Sequence, residues 1–249
     1  MNRFILAVLL LVPVMLLGQK TPSLDRVWDE RNNLSGPSAT NLYVVYRDLT
    51  QRKSDDADAW WKYSRALNFY AMYLVSDKGI QKVFFQKAKE AAMNATMLAP
   101  DGLDGRLWLA VSLGNWGQAN GVLNSLMAVP DIEQNMNEVL TRDPGRDNAV
   151  AYTVLGRLYF KAPGPPLSVG DDKKAESYMK KAIELVPGKI KNYLYLAEMY
   201  VDWKRYDEAL KVIEKGESLP LRPEFSLEDR FDQKELKIVK DKLLARMKK

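Results

Sequence analysis

The sequence predicts an all-α fold: a solenoid of about four helical hairpins, with a leading half repeat and a closing C-terminal helix. Short helical motifs recur at regular intervals, because the small residues Ser64, Ala110, Gly156 and Ala197 are 46, 46 and 41 residues apart. A proline or glycine follows the second helical segment of each copy, and no segment shows the alternation of a strand. We therefore expect hairpins that bury their apolar faces against neighbouring hairpins.

The N-terminus has the pattern of a secretory signal peptide. Arg3 precedes the apolar run Phe4–Leu17, which is shorter than the roughly 20 residues of a membrane span. We predict a signal peptide over residues 1–19, with cleavage near Gly18 or Gln19. The alternative, an uncleaved N-terminal anchor, stays open. With the signal removed we expect no integral membrane protein, since no later segment approaches the length of a membrane span.

Composition narrows the classes of function. The chain has no histidine and no cysteine, so it can form no His-based catalytic triad, no disulfide and few kinds of zinc site. The missing cysteine also excludes bacterial lipoprotein attachment, and it is compatible with a bacterial periplasm. The net charge of +5 is carried by the last segment, residues 234–249, so it does not indicate a nucleic-acid surface. We expect no enzyme, no cofactor and no metal.

Each repeat combines two helical motifs. The first helices read WWKYSRAL, RLWLAVSL, YTVLGRLY and YLYLAEMY, and the second helices end at Pro100, Pro144, Pro187 and Gly216. A small residue in the first helix lets the two antiparallel helices approach closely, and proline cannot continue the second helix.

This pattern resembles the tetratricopeptide-repeat (TPR) superfamily. The resemblance implies one TPR-like solenoid domain over residues 38–249. Its repeats would span about 57–100, 103–144, 147–187 and 189–221, with a closing helix at about 227–247. Three of the four repeats are longer than the standard pattern, so we expect lengthened helices or loops at one end.

Three longer stretches carry a narrower resemblance. LWLAVSLGNWGQANG, IEQNMNEVLTRDP and GDDKKAESYMKKAIELVPG are similar to the T component associated with bacterial TRAP transporters. That resemblance implies a periplasmic partner of a substrate-binding subunit, with a cavity for a small, partly apolar ligand. The last stretch, extended by KIKNYLYLAE, also resembles the regulator-of-microtubule-dynamics family. Unlike many T components, this chain has no cysteine to carry a lipid.

Candidate binding residues follow from the repeat positions. In such solenoids the first helices line the concave face, and two arginines and two lysines there would suit a carboxylate. The alternative is ordinary solvated charge on helix faces. The predicted ligand- or partner-binding residues are Trp61, Arg65, Asn68, Phe69, Asn115, Trp116, Asn120, Thr153, Arg157, Lys161 and Lys191.

The Pro- and Gly-rich insert KAPGPPLSVGDDKKA separates two helical segments of the third hairpin. Its prolines favour an extended path, Gly170 allows a turn, and Asp171 or Asp172 can cap the next helix. The insert is either a lid over a ligand cavity or only a structural loop.

These observations predict an exported, periplasmic, non-enzymatic binding protein. Its partner would be a protein of a substrate-binding and transport system, and it would hold a small acidic or lipid-like ligand. The alternative is a general periplasmic TPR adaptor that binds a peptide or protein tail in an open concave groove. Homo-oligomerisation and the identity of the ligand stay open.

Overall fold

The computed structural model of the chain describes residues 24–34 and 39–248. Within these residues every regular element is helical, which confirms the predicted all-α class. The predicted signal peptide lies outside the described residues.

Four helical hairpins follow one another, preceded by two helices with a 3-10 turn between them and closed by a long helix. The helices are α1 Leu24–Asp29, α2 Asn41–Arg52, α3 Ala57–Phe69, α4 Lys78–Leu98, α5 Leu103–Asn120, α6 Val122–Arg142, α7 Arg146–Lys161, α8 Asp172–Leu185, α9 Ile190–Asp202, α10 Tyr206–Glu217 and α11 Ser226–Met247. A 3-10 turn at Glu30–Asn33 follows α1, a π turn at Tyr70–Leu74 extends α3, and a 3-10 turn at Pro223–Phe225 precedes α11.

Consecutive helices pack as antiparallel pairs, α3 with α4, α5 with α6, α7 with α8 and α9 with α10. The preceding helix α2 packs on α3, and α11 packs against both α9 and α10. One continuous apolar core runs from α5 to α11, and two smaller clusters lie around α2, α3 and α4. This arrangement is that of a solenoid whose neighbours bury each other's apolar faces.

The small residues that define the repeat are buried in all four hairpins. At Gly156 an added Cβ would lie 3.1 Å from the Met179 Cε and 3.3 Å from the Ala175 carbonyl oxygen. The close approach of α7 and α8 therefore requires a residue with almost no side chain at this position.

Aspartates cap three of the helices at their N-termini. The Asp56 side chain accepts hydrogen bonds from Asp58 N and Ala59 N at the start of α3. Asp77 accepts from Ile80 N at the start of α4, and Asp171 caps α8 by accepting from Lys174 N at 2.9 Å. The insert thus ends in an N-cap, at the first of the two predicted aspartates.

The insert between α7 and α8 folds back on the end of α7. Gly170 N donates to the Pro163 carbonyl at 2.8 Å, and Asp171 N donates to the Tyr159 carbonyl at 3.0 Å. A Cβ at Gly170 would lie 2.1 Å from the Ala162 carbonyl oxygen, so only glycine fits this turn. These contacts define an ordered loop, and whether it also acts as a lid stays a prediction.

The hairpin of α5 and α6 is long and tightly joined. Helix α5 runs without interruption to Asn120, and Gly121 turns the chain with a φ of 99°. A Cβ at Gly117 would lie 2.9 Å from the Ser125 Cα. The small residues of this stretch therefore let α6 approach α5 closely.

Candidate interaction site

The predicted binding residues lie on α3, α5, α7 and α9, the first helices of the four repeats, and we call the side that these helices form the inner face. Its polar groups make hydrogen bonds mainly to one another. In the first two repeats, Asn68 Nδ2 donates to the Ser112 hydroxyl at 2.7 Å and to the Ser64 carbonyl at 3.0 Å. Asn115 Nδ2 donates to Asn68 Oδ1 at 2.8 Å. This network ties α3 to α5.

A second polar contact ties α7 to α9. The Thr153 hydroxyl donates to Asn192 Oδ1 at 2.8 Å, and Asn192 Nδ2 donates to the Ala182 carbonyl at 3.0 Å. Both side chains are buried. Because their donors and acceptors are satisfied inside the protein, they hold neighbouring repeats in register.

The two arginines of the inner face have different surroundings. Arg157 forms an ion pair with Glu198 on the next repeat, and its guanidinium lies 4.3 Å from the centre of the Tyr195 ring. Arg65 is stacked instead, with its Cζ 3.7 Å from the Trp28 ring centre and 5.0 Å from that of Trp61.

Arg65 is also desolvated. Its Nε is buried and has no hydrogen-bond acceptor among the described residues. Burial lowers the pKa of Arg65, and the nearby Tyr46 and Asp147 oppose that shift. Cation–π contact with Trp28 offsets part of the desolvation cost.

Trp28 belongs to a segment that crosses the inner face of the first repeat. We call residues 24–34 the N-terminal strap. Its Arg31 is buried, donates to Glu228 at 2.9 Å and 3.2 Å, and reaches the Glu224 carbonyl at 3.0 Å. Asn32 accepts from Leu227 N at 2.8 Å. The strap therefore joins the beginning of the described chain to the closing helix α11.

The closing helix also contacts the first repeat through a buried charged cluster. Lys191 on α9 donates to the Tyr73 hydroxyl at 2.6 Å, and its Nζ lies 3.3 Å from Asp232 Oδ1 on α11. The Phe231 ring packs edge-on against the Tyr73 ring, with centres 5.4 Å apart. The first and last repeats therefore meet, and the strap and α11 cover the inner face of the first repeat.

Burial shifts the pKa values in this cluster. Desolvation raises the pKa of Asp232 to about 6, although the Lys191 ammonium opposes the shift. Desolvation also favours the neutral form of Lys191, but the Asp232 carboxylate and Tyr73 raise the pKa of Lys191 well above its ordinary value. Lys189 is desolvated beside Lys191 and Arg222, so its pKa falls to about 8.

A second ion pair fixes the start of α11. Asp229 is fully buried and accepts from Arg222 N at 2.9 Å, from Nε at 3.0 Å and from Nη2 at 2.6 Å. These three backbone and charge-assisted bonds offset the cost of burying the carboxylate.

Of the remaining predicted residues, Phe69 contacts the strap, and Trp116, Asn120 and Lys161 have other neighbours. Phe69 is buried beside Trp28 and Tyr73. The Lys89 ammonium lies 3.6 Å from the centre of the Trp116 ring on α5. Asn120 and Lys161 end α5 and α7, where Asn120 donates to the Trp116 carbonyl and Lys161 lies exposed beside Phe160.

The structure thus brings Arg65, Phe69 and Lys191 together around the strap and α11, and it separates them from Trp116, Asn120 and Lys161. Ligand binding by any of these residues stays a prediction. Trp28, Arg31, Glu228 and Asp232 do not appear in the sequence prediction. For Asp232 a signal was available in the sequence, because it is an acidic residue at a core-facing position of α11.

An accessible groove lies between the second helices α8 and α10, with α9 below it. We call it the outer groove. Its volume is about 260 Å³, and the groove is lined by Lys180, Ile183, Tyr193, Leu196, Lys211, Val212 and Lys215. The floor is apolar, and three exposed lysines stand around it. Lys180 pairs with Glu176, whereas Lys211 and Lys215 form no ion pair with any residue in the described ranges.

Metal binding and membrane spanning find no support in the described part of the chain. Residues 24–34 and 39–248 contain no group of three or more acidic side chains placed to hold a metal ion. Among the helices in these ranges, none combines the length and apolar character that crossing a membrane requires.

The helical hairpins, their buried small positions and the closing helix define an α-solenoid of the TPR-like class. A model of the family described as "Regulator of microtubule dynamics protein 1-3" matches residues 25–163, more than half of the chain. The chain belongs to this family. The matched residues include all but the first residue of the strap, and the first two hairpins. No curated protein sequence matches the chain.

Solved structures agree with the fold class. TTC0263, a thermophilic TPR protein of Thermus thermophilus, is 18% identical, with a TM-score of 0.57 over 82% of this chain and 89% of that protein. At this identity the likeness shows the fold alone. Yeast Tom70 is 14% identical over 93% of this chain and 68% of its own, but its TM-score of 0.24 supports no conclusion. The resemblance to the T component of TRAP transporters stays a prediction.

Proposed function

We propose that this protein is a non-enzymatic interaction scaffold that binds an acidic segment of a protein partner in the outer groove. The observation that carries the proposal is the combination of an apolar floor with the exposed lysines Lys180, Lys211 and Lys215. An acidic peptide with one apolar side chain would bury that side chain on Leu196 and Val212 while its carboxylates neutralise the rim.

The condition of the inner face supports the use of an outer surface. The strap and α11 lie over the first repeat, and the inner polar groups already have partners there. A peptide that entered this face would have to displace Arg31 from Glu228 or Lys191 from Tyr73. The outer groove can be occupied without breaking any of these contacts.

The family description suggests which acidic partner to test first. The description of the family names microtubules, so we choose polymerised tubulin as the probe. The test is a co-pelleting assay of the full chain with polymerised tubulin. In the variant Lys211→Glu with Lys215→Glu we expect binding to fall at least about tenfold, because charge reversal replaces attraction by repulsion.

The matched control is Lys234→Glu with Lys242→Glu, two exposed lysines of α11 outside the groove. This control has the same net charge as the test variant. Equal losses in both variants would mean that overall charge governs binding, and the groove would be rejected. Absence of pelleting by the unaltered chain would reject tubulin as the partner, and a synthetic acidic peptide would then test the groove itself.

We keep a second candidate function because one observation favours it. Arg65 has a buried Nε without an acceptor in the described ranges, desolvation lowers the pKa of Lys189, and both cations lie near Asp147. Such cations favour an acidic ligand. A ligand of this kind is expected if the chain is the exported transport partner that the sequence predicts. Native mass spectrometry of the protein purified from its own cells tests this candidate. A retained small acid or a bound substrate-binding subunit would support it, and an empty chain would reject it.

A further inference from the structure

The loop and first turn that join α5 to α6 expose apolar side chains without a cover in the described part of the chain. Val122, Leu123 and Met127 are 77%, 72% and 69% exposed. We call Gly121–Met127 the hairpin tip. Single exposed apolar residues are common on protein surfaces, but three large ones within six positions form a patch that water does not favour.

The part of the hairpin nearest this tip carries no charge. Between Arg106 and Asp131 the sequence LWLAVSLGNWGQANGVLNSLMAVP contains no ionisable side chain over 24 residues. A surface helix of a protein that meets only water ordinarily carries charged residues on its exposed side. Charged groups are costly in the hydrocarbon region of a bilayer, whereas apolar and amide side chains are tolerated at its interface.

Neighbouring helices extend the apolar character at the same end of the solenoid. Because α3 to α6 run alternately up and down, the start of α4 lies at the same end as the hairpin tip. Ile80 and Val83 are exposed there, and Leu167 of the insert is exposed at the corresponding end of the third hairpin. Three consecutive hairpins thus expose aliphatic side chains at the same end of their helices.

Lysines stand beside these side chains. Lys82 on α4 and Lys173 on α8 are exposed and form no ion pair with any other described residue. The acidic side chains at this end include Asp77 and Asp171, which are engaged in helix capping, and the exposed Asp172 beside Lys173. Aliphatic side chains near lysines suit an anionic lipid surface. The aliphatic groups insert below the headgroups, and the lysine ammonium groups contact the headgroups.

From these observations we propose that the hairpin tip inserts into the interface of a lipid bilayer and orients the solenoid with this end toward the membrane. The exposed aliphatic side chains of the tip and the exposed lysines at the same end suit the apolar interior and the anionic headgroups of a bilayer. If the predicted apolar leader were retained as an anchor, it would hold the chain at a membrane.

Insertion can be measured at the tip itself, independently of attachment through the leader. The chain contains no cysteine, so Leu123→Cys in the full chain can carry a single polarity-sensitive fluorophore. The matched control is Met97→Cys, at a position that is 75% exposed on α4 near its other end. Both labelled proteins are mixed with phosphatidylcholine vesicles, with and without phosphatidylserine, and with nitroxide-labelled lipid as a quencher.

We expect the label at position 123 to shift to the blue and to be quenched by the nitroxide lipid, while the label at 97 does neither. The double variant Lys82→Glu with Lys173→Glu should weaken the phosphatidylserine-dependent part of vesicle binding by about fivefold or more for each lysine replaced. Equal responses at both positions, or no response at 123 on vesicles that retain the chain, would overturn the proposal. A response at 123 to a soluble protein but not to vesicles would assign the tip to a protein partner and would also overturn it.

Discussion

The polar side chains of the inner face are bonded to one another, whereas the apolar side chains of the hairpin tip are covered by nothing in the described part of the chain. Asn68 and Thr153 are binding candidates in the sequence because their types suit a ligand, yet both are buried and satisfied by neighbouring repeats. Leu123 is largely exposed. A residue's type at a repeat position therefore does not reveal whether its bonding capacity is still available.

The contrast between these two regions predicts that inner-face substitutions lower stability and that outer substitutions lower binding. The largest effect is expected for Lys191→Ala, which leaves the buried Asp232 without its cation. Breaking a buried pair from one side costs about 3–5 kcal/mol of unfolding free energy. Urea denaturation followed by circular dichroism measures it. Lys161→Ala, at an exposed position of α7, is the control and should stay within about 0.5 kcal/mol of the unaltered chain.

The pH dependence of stability offers a second test at the same cluster. The folded-state pKa of Asp232 is about 6, above the ordinary value of 3.8. Since the folded state binds this proton more tightly, the contribution of Asp232 is complete below about pH 4 and is lost as the pH rises through about 6. A shift of this size corresponds to about 3 kcal/mol.

The variant Asp232→Asn removes this titration and leaves the others in place. We expect the unfolding free energy of the unaltered chain, relative to Asp232→Asn, to fall between about pH 4 and pH 6.5. Asp241→Asn, on the exposed side of the same helix, should follow the unaltered chain throughout. A constant difference between the unaltered chain and Asp232→Asn would show that the cluster does not titrate as described. Lys191, Lys189, Tyr73 and Asp229 are the neighbouring groups that face this carboxyl.

A smaller effect is expected from the neutral network between α3 and α5. Asn68→Ala removes a side chain that makes three hydrogen bonds and leaves buried groups unsatisfied, at a cost of about 1–3 kcal/mol. Combined with Ser112→Ala, the loss should be less than the sum of the two single losses. Strictly additive losses would mean that the two side chains act independently, contrary to the network described.

The smallest effect on stability is expected at the hairpin tip. Leu123→Ser should change the unfolding free energy by no more than about 0.5 kcal/mol, because the side chain buries little surface within the protein. The same variant should lose about tenfold or more in partitioning to vesicles if a leucine-sized group inserts. A large loss of stability would show that Leu123 packs within the protein.

Local sequence patterns predicted the parts of the structure that local physics determines. The spacing of Ser64, Ala110, Gly156 and Ala197 reflects the close approach of neighbouring helices, and all four residues are buried. The start of α8 at Asp172 follows from the capping preference of the preceding aspartate. These features depend on neighbours close in sequence, so they can be recognised without a structure.

The closure of the inner face could not be recognised in this way. Arg31 and Glu228 are 197 residues apart, and no repeat pattern links the strap to α11. From the sequence alone, a buried arginine on a short segment cannot be distinguished from a solvated one. The two choices for the predicted site, a ligand-binding surface or solvated charge, both omitted the third possibility that the chain's own segments occupy it.

Closure of the inner face by the strap and α11, with partners bound outside, can be tested by a distance measurement between two spin labels. The labels are attached through Asn33→Cys and Arg230→Cys, at exposed positions on the strap and on α11. A closed inner face should give one short, narrow distance distribution that does not change when polymerised tubulin or vesicles are added. A broad distribution reaching long distances, or a shift on adding either probe, would show that the strap leaves α11 and that the inner face opens.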